Sequence, residues 1–283
     1  MTVRKSSVAG SFYPESPDEI IKMFEEALQE EKKNIKTELK NKNIVGGVSP
    51  HAGYMYCVRE AVHLFEILRE KGEKYDTVVI VNPNHTGYGE AVSVDSNESW
   101  ETPFGGIEVD TELGAELSFP KEPMAQRFEH SGEVMLPYLY YFLKSSFKIL
   151  PICMMRQDLQ TAVKIAEKVK DASEKLERKI LLLISSDFTH FQTPEKGAKL
   201  DSYAIESLLK MDSSEFQDRV LEKDISICGM GPIMVLLEYS KMTLKNPKLE
   251  ILKRGHSGEV YPSDEVVDYV SIVVYEEETD PAD

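Results

Sequence analysis

The amino-acid sequence predicts a single α/β domain with a largely parallel central sheet and helices on both faces. Short, apolar, β-branched runs alternate with longer amphipathic segments along most of the chain, which is typical of βαβ units. Three of the runs end in polar motifs, just after Ser49, Val81 and Ile184. No linker rich in Gly, Ser or Pro divides the 283 residues. We therefore expect one domain over residues 1–275 and a disordered acidic tail at 276–283.

The composition limits the partners and the compartment. With 49 acidic and 33 basic residues the formal net charge is −16, which disfavours nucleic acid and anionic membranes as partners. No apolar stretch approaches the roughly 20 residues that span a bilayer, and we expect a cytoplasmic protein. The three cysteines, Cys57, Cys153 and Cys228, are odd in number and far apart. They indicate reduced thiols, each a lone metal ligand or a buried apolar residue, rather than a disulfide framework.

The first helix is predicted from a start signal. Ser16 is placed as the N-cap, Pro17 at the first helical position and Glu19 as the capping-box acid. Apolar residues between positions 20 and 28 then recur at helical spacing. The short apolar run that opens at Ile44 is predicted to be the first central strand.

Hydrophobic periodicity places the later elements. The predicted helices cover residues 57–70, 134–143, 157–176, 198–211 and 215–221, with a last helix that ends near 241. The predicted strands cover residues 77–81, 91–94, 107–109, 148–152, 179–186, 249–252 and 266–275. Residues 99–106 are predicted to form a loop, and Asp110 or Thr111 is expected to cap a short helix.

The three polar motifs predict a functional site. They read Ser-Pro-His-Ala-Gly at 49–53, Asn-Pro-Asn-His-Thr-Gly at 82–87 and Ser-Ser-Asp-Phe-Thr-His at 185–190. In an open α/β sheet, ligands bind in the crevice beyond the carboxyl ends of the strands. We therefore expect His51, His85, Asp187 and His190 to face one crevice.

These side chains are typical of a metal site. Neutral imidazoles with a thiolate or a carboxylate suit a transition or borderline divalent metal such as iron, copper or zinc. Histidines from two strand ends, His51 and His85, would leave coordination positions open for water or substrate. The third ligand would be Asp187, Cys228 or Glu133, and sequence spacing does not choose among them.

Two histidines are candidates for proton transfer. His190 follows Asp187 by three residues, so Asp187 either fixes the imidazole tautomer or caps a turn through its side chain. An imidazole titrates near neutral pH and is suited to acid–base catalysis. The tetrapeptide His-Ser-Gly-Glu occurs at 130–133 and 256–259. We favour His130 in the first copy, because Glu129 precedes it and a predicted helix follows.

Several motifs together resemble the Memo-like family, which is named for a mediator of receptor-driven cell motility. The motifs are Ala-Gly-Ser-Phe-Tyr-Pro at 9–14, Pro-His-Ala-Gly-Tyr at 50–54, Pro-Asn-His at 83–85, Glu-His-Ser at 129–131, Ser-Ser-Asp-Phe-Thr-His at 185–190 and Ile-Cys-Gly at 227–229. They stand in the order seen in that family, and the resemblance extends from the first turn to at least Pro232.

The resemblance implies a fold similar to class III extradiol ring-cleaving dioxygenases. Those enzymes hold non-haem iron(II) with two histidines and a carboxylate and use a further histidine as acid and base. The implied metal ligands here are His51, His85 and Cys228. The implied pocket-lining catalytic residues are His130, Asp187 and His190. A thiolate in place of the carboxylate departs from the dioxygenase pattern and changes the charge balance of the metal.

Two classes of function follow from the sequence. The first is a mononuclear site, with iron or copper favoured and zinc accepted, that performs redox or oxygen chemistry on a small molecule. The second is a non-enzymatic module that binds a peptide or protein in the same crevice. A zinc-dependent hydrolase is a third reading, because zinc accepts two histidines and a cysteine with an open fourth position.

Overall fold

The computed structural model describes residues 2–278. The helices are α1 Pro17–Glu31, α2 Tyr54–Lys71, α3 Thr111–Glu116, α4 Pro123–Arg127, α5 His130–Glu133, α6 Met135–Phe142, α7 Leu159–Lys175, α8 Pro194–Leu209, α9 Ser213–Glu222 and α10 Met230–Thr243. The strands are β1 Val3–Arg4, β2 Asn43–Ser49, β3 Thr77–Pro83, β4 Val92–Val94, β5 Ser99–Thr102, β6 Gly105–Glu108, β7 Lys148–Met154, β8 Ile180–Ser185, β9 His190–Gln192, β10 Pro247–His256 and β11 Val266–Glu276. Of the predicted acidic tail, Glu276 ends β11 and residues 279–283 lie outside the described part.

The central sheet is mixed, which corrects the prediction of a largely parallel one. Its strand order is β10-β11-β2-β8-β3-β7-β4, and β9 pairs with β11. Strands β2, β8, β3 and β7 are mutually parallel, whereas β10, β11, β9 and β4 pair antiparallel with their neighbours. Strands β10 and β11 follow each other through a short connection, which antiparallel pairing allows and parallel pairing does not. The parallel strands form the centre, and their carboxyl ends share one edge.

Helices cover both faces of this sheet, as predicted. Successive side chains of a strand point to opposite faces, and β3 shows this directly. Val79 and Val81 pack in the cluster that contains residues of α7 and α10. Val78 and Ile80 pack in the cluster that contains residues of α1, α2 and α6. Burial on both faces explains why the central strands read as continuous apolar runs rather than alternating ones.

The predicted loop at 99–106 is instead a β-hairpin. Strands β5 and β6 pair antiparallel, and the Thr102 hydroxyl donates to the Gly105 carbonyl at 2.8 Å. Strand β1 adds to β5 to complete a second, three-stranded sheet. Trp100 of this sheet is fully buried, and the Arg4 guanidinium lies 4.1 Å from the centre of its ring. The Pro and Gly residues that read as a loop belong to the tight turn and the second strand.

The predicted starts of α1 and α3 are at the expected positions, whereas α2 and α8 begin at Tyr54 and Pro194, before the predicted residues 57 and 198. Pro17 begins α1, although Ser16 makes no side-chain capping hydrogen bond there. Asp110 caps α3, because its side chain accepts a hydrogen bond from the Leu113 backbone N–H. Within residues 2–278, none of the helices is both long and apolar enough to cross a membrane.

Candidate metal centre

Three predicted ligands meet at the carboxyl edge of the parallel strands. His51 follows β2, His85 follows β3, and Cys228 lies just before α10. One ligand atom from each side chain lies within 4.8 Å of the other two. His51 is buried, Cys228 is half-buried and the His85 side chain is 34% exposed. The three side chains therefore offer two nitrogens and one sulfur to a single point at the crevice.

A serine orients the His51 imidazole. The His51 Nδ1 lies 2.7 Å from the Ser185 Oγ, and that hydroxyl donates its own proton to the Ser131 carbonyl at 2.7 Å. The Ser185 oxygen must therefore accept from Nδ1–H, which leaves Nε2 as the unprotonated nitrogen. His51 Nε2 lies 3.2 Å from the Cys228 Sγ. Burial, together with the nearby histidines, lowers the pKa of His51 well below its usual range, so this imidazole is in its neutral, ligating form.

A buried carboxylate orients His85. The His85 Nδ1 lies 2.8 Å from Glu129 Oε1, and its backbone N–H donates to Glu129 Oε2 at 2.6 Å. The Ser131 hydroxyl donates to the same carboxylate at 2.6 Å. Burial alone would raise the pKa of Glu129, but the hydrogen bonds and charge of His85 and the bonds from Ser131 lower it to about 2. A charged Glu129 holds the proton on His85 Nδ1 and leaves Nε2 free, as in a carboxylate–histidine–metal arrangement.

Asp187 lies beside the ligand set and joins two of its members. Its Oδ1 accepts a hydrogen bond from the His51 backbone N–H at 2.8 Å, and its own N–H donates to the Cys228 Sγ at 3.2 Å. Burial raises the pKa of this carboxyl to about 6. Asp187 therefore fixes the positions of His51 and Cys228 relative to each other.

Glu133, the remaining sequence candidate for the third ligand, is held by the N-terminal segment. Its carboxylate pairs with the Arg4 guanidinium at 2.6 Å and is fully buried. The other donors to it are Ser6 Oγ, Ser7 N and Oγ, Val8 N and Tyr13 Oη, at 2.7–3.0 Å. These bonds tie the start of the chain to α5, so Glu133 supports the wall of the crevice rather than facing it.

The two candidate catalytic histidines, His190 and His130, both line the cavity that contains the ligands. His190 begins β9 rather than lying in a turn, and its Nδ1 lies 2.8 Å from the Ser226 carbonyl oxygen. That carbonyl only accepts, so His190 carries its proton on Nδ1 and presents Nε2 as a base. The His130 ring centre lies 4.7 Å from that of His85 and 4.6 Å from that of Phe12. Burial lowers the pKa of His130 to about 4.

One cavity of about 520 Å³ unites the site. Its lining includes five of the six residues proposed from sequence, namely His51, His85, His130, Asp187 and His190. Cys228, the sixth, contacts His51 and Asp187. Ser257 of the second His-Ser-Gly-Glu copy also lines it.

Sequence reasoning missed the groups that orient the ligands. Ser185 lies inside the third polar motif and Glu129 directly precedes His130, and these positions beside the candidate histidines are the signal that could have indicated both. Phe191, Tyr261 and Glu265 also line the cavity, but no pattern in the sequence marks the last two.

A second group of potential ligands overlaps the first. Ligand atoms of His85, Glu129 and His130 also lie within 4.8 Å of one another. Glu129 Oε1, however, is already bonded to His85 Nδ1 and to Ser131. A metal there would have to displace these hydrogen bonds, so the group with Cys228 is the better-prepared one.

The chain is similar to known proteins over nearly its whole length. A family model described as "Memo-like protein" matches residues 4–273. A "MEMO1 family protein" of Methanosarcina mazei is 40% identical over 281 residues, covering 97% of this chain and 100% of the relative. A "MEMO1 family protein" of Methanococcoides burtonii is 41% identical over 280 residues, covering 96% and 100%.

A solved structure is more distantly similar. The crystal structure of uncharacterized protein JW3007 from Escherichia coli K12 aligns with 75% of this chain and 91% of its own, at 13% identity. The TM-score of that alignment is 0.44.

Proposed function

The chain belongs to the Memo-like family, as its motifs predicted, and from that premise we propose that it binds one metal ion through His51, His85 and Cys228. The observation that carries this proposal is the convergence of the three ligand atoms within 4.8 Å. The Nδ1 atoms of both imidazoles are hydrogen-bonded, that of His51 to Ser185 and that of His85 to Glu129. These bonds orient the rings in the folded protein, so little side-chain entropy would be lost on metal binding.

The donor set fits iron, copper or zinc. Imidazole nitrogen and thiolate sulfur suit these borderline and transition metals, whereas magnesium and calcium prefer oxygen ligands. Three protein ligands beside an open cavity leave room for a further ligand, which is typical of a catalytic rather than a structural site. We favour iron or copper, as the family resemblance implies, and keep zinc as the alternative.

We propose further that the site acts on a small molecule. A cavity of about 520 Å³ lies within the range of small-molecule pockets. An iron or copper ion would supply redox chemistry at its open coordination positions. Burial raises the pKa of the Cys228 thiol well above its usual range, so Cys228 would become a thiolate on binding the metal. That thiolate would stand where class III extradiol dioxygenases have a carboxylate. We carry over from those enzymes the placement of two histidines at strand ends, not ring cleavage.

The residues of the chain have distinct parts in this proposal. His190, whose Nδ1–H is held by the Ser226 carbonyl, accepts or returns a substrate proton at Nε2. Asp187 fixes the position of Cys228 relative to His51 through its hydrogen bonds to the His51 backbone and the Cys228 sulfur. The ring of Phe12 packs against that of His130, and both form part of the cavity wall.

Spectroscopy of the Cu²⁺- or Co²⁺-loaded protein tests the ligand set. A thiolate ligand gives an intense sulfur-to-metal charge-transfer band, which we expect in the native chain and not in Cys228→Ala. Cys57→Ala is the matched control, because Cys57 is a buried thiol bonded to the Ala52 carbonyl. A band that survives in Cys228→Ala would come from another thiol and would contradict Cys228 as the sulfur ligand. A native protein that binds the metal without this band would exclude Cys228 and reopen the choice of Asp187.

A further inference from the structure

The mouth of the crevice carries two strongly exposed aromatic rings. Phe191 is 69% exposed and Tyr261 is 71% exposed, and both line the cavity next to the metal ligands. An exposed ring offers a negatively polarised face to a ligand, and cations bind to such faces.

The backbone holds Phe191 in this place against a conformational cost. Its φ is +57°, which is unfavourable for a bulky side chain. In the pairing of β9 with β11, His190 lies opposite Val267 and Gln192 opposite Val266, so Phe191 is the extra residue of a β-bulge. Bulges and strained residues recur at binding sites, where they redirect a side chain. The bulge therefore sets the position of the Phe191 ring at the cavity mouth.

Apart from its four histidines, the ionisable side chains of the cavity lining with a fixed charge have one sign. Its described lining contains neither lysine nor arginine, and its two acidic residues are Asp187 and Glu265. Glu265 is exposed and forms no ion pair with any residue of the described chain. An anionic ligand would find no fixed cationic side chain at the mouth, whereas a cation would find both Glu265 and two aromatic faces.

We propose that the crevice takes a small organic cation, whose ammonium or guanidinium group binds at its mouth against Phe191, Tyr261 and Glu265. This inference rests on the proposed function, because it names the substrate class of the same crevice. The remainder of the ligand extends toward His51 and His85 in the cavity of about 520 Å³.

Three probes that share a phenyl ring and differ in charge test the assignment. Binding of benzyltrimethylammonium, benzyl alcohol and benzenesulfonate is measured by calorimetry or NMR, on metal-free protein and on metal-loaded protein. We expect the cation to bind most tightly, the alcohol more weakly and the sulfonate not at all over the same concentration range. The quaternary ammonium cannot coordinate a metal, so its binding reports on the mouth alone.

Two variants locate the cation. Glu265→Gln is expected to weaken benzyltrimethylammonium roughly two- to fivefold and to leave benzyl alcohol unchanged. Phe191→Ala is expected to weaken the cation by a similar factor. Glu167→Gln, which changes an exposed acid on α7, is the control and should leave all three affinities unchanged.

The outcomes separate this inference from the metal proposal. Sulfonate binding as tight as that of the cation, no binding of any probe, or an unchanged cation affinity in Glu265→Gln would overturn the inference. Cation binding to a protein that retains no metal under any condition would keep the inference and overturn the proposed function. Protein that holds a metal but binds the sulfonate more tightly than the cation, with no change in Glu265→Gln, would keep the proposed function and overturn the inference.

Discussion

At the scale of single residues, one serine links the two imidazoles. The Ser131 carbonyl accepts a hydrogen bond from the Ser185 hydroxyl, and the Ser131 hydroxyl donates one to the Glu129 carboxylate. Ser185 bonds to His51, and Glu129 bonds to His85. The Nδ1 atoms of His51 and His85 are therefore joined by one chain of hydrogen bonds. The bonds to the two imidazoles are 2.7 Å and 2.8 Å long.

Ser185→Ala tests this arrangement. Without the hydroxyl, His51 Nδ1–H loses its acceptor and the neutral imidazole is free to adopt the other tautomer. Loss of such a partner typically weakens metal binding about 10- to 100-fold, and we expect a decrease in that range in a chelator-competition titration. Ser240→Ala removes a buried hydroxyl that bonds only within α10 and serves as the control. Equal affinities in the two variants would show that Ser185 does not orient His51.

Glu133→Gln tests the anchor of the N-terminal segment. The change leaves the buried Arg4 guanidinium without its charged partner, which is expected to lower the free energy of unfolding by about 3–5 kcal/mol. Glu101→Gln, in the exposed pair with Lys5, should cost less than about 1 kcal/mol. Urea unfolding at pH 7 measures both.

The pKa of Glu133 in the native protein determines how the stability difference between native protein and Glu133→Gln depends on pH. Burial would raise that pKa, but the Arg4 charge and the bonds from the serines lower it to about 2 in the folded chain, against about 4.3 in an unfolded one. The stabilisation is therefore complete above pH 4.3 and is lost as the pH falls toward 2. The difference between native protein and variant should shrink from pH 7 to pH 3, and an unchanged difference would contradict this account.

At the scale of elements, strand β2 positions His51 through its glycines. A Cβ on Gly46 would lie 2.1 Å from the Leu182 carbonyl oxygen of β8, and one on Gly47 would lie 2.5 Å from the Ile272 carbonyl oxygen of β11. Both obstacles are backbone atoms of neighbouring strands. The close packing of β2 between β8 and β11 therefore depends on these two residues.

Gly46→Ala is expected to destabilise the fold by about 1–3 kcal/mol or more, because a packed sheet accommodates added volume poorly. Gly106→Ala is the matched control, since its Cβ would meet only the Trp100 carbonyl oxygen at 4.0 Å. Thermal unfolding followed by circular dichroism compares the two. A Gly46→Ala protein as stable as Gly106→Ala would show that β2 can move away from β8.

A buried carboxyl pair joins helix α8 to strand β11. Asp201 accepts hydrogen bonds from Thr189 N–H and Oγ, and Asp268 lies beside it with Oδ2 unpartnered. Burial and the neighbouring Asp201 charge raise the pKa of Asp268 to about 8, despite the nearby Arg254. The pair therefore retains a proton at neutral pH.

Asp268→Asn should change how stability depends on pH. The folded protein keeps a proton that the unfolded chain loses near pH 4, so this group lowers the free energy of unfolding as the pH rises from about 4 to about 8. The slope is about 1.4 kcal/mol per pH unit. Relative to native protein, the variant should gain stability between pH 5 and pH 8 in urea unfolding. Asp264→Asn, an exposed control, should follow the native curve, and parallel curves for all three proteins would contradict the shared proton.

At the scale of the whole molecule, the sequence predicts what depends on regular patterns. Apolar runs and the motifs at their ends placed His51 and His85 at one sheet edge, because the carboxyl ends of parallel strands meet there. Cys228 was assigned by family resemblance alone. It approaches His51 across 177 residues of chain, and neither periodicity nor spacing reports so distant a contact.

The features that prediction missed depend on tertiary contacts. The antiparallel pairing of β10, β11 and β4 is decided by which strands meet in the folded chain, and apolar runs alone do not give the direction of a strand. The β5–β6 hairpin was predicted to be a loop, because Pro103 lies in its turn and Gly105 and Gly106 begin its second strand. The bond from Ser185 to Ser131 spans 54 residues and forms only once the end of β8 meets α5 in the folded chain.

The central claim is that His51, His85 and Cys228 hold one metal ion, and metal content tests it most directly. Native protein and a His51→Ala/His85→Ala variant are purified under anaerobic, reducing conditions, and their metal content is measured by mass spectrometry. We expect near-stoichiometric iron or copper in the native chain and its loss in the variant. No metal in the native protein, or equal amounts in both, would contradict the claim.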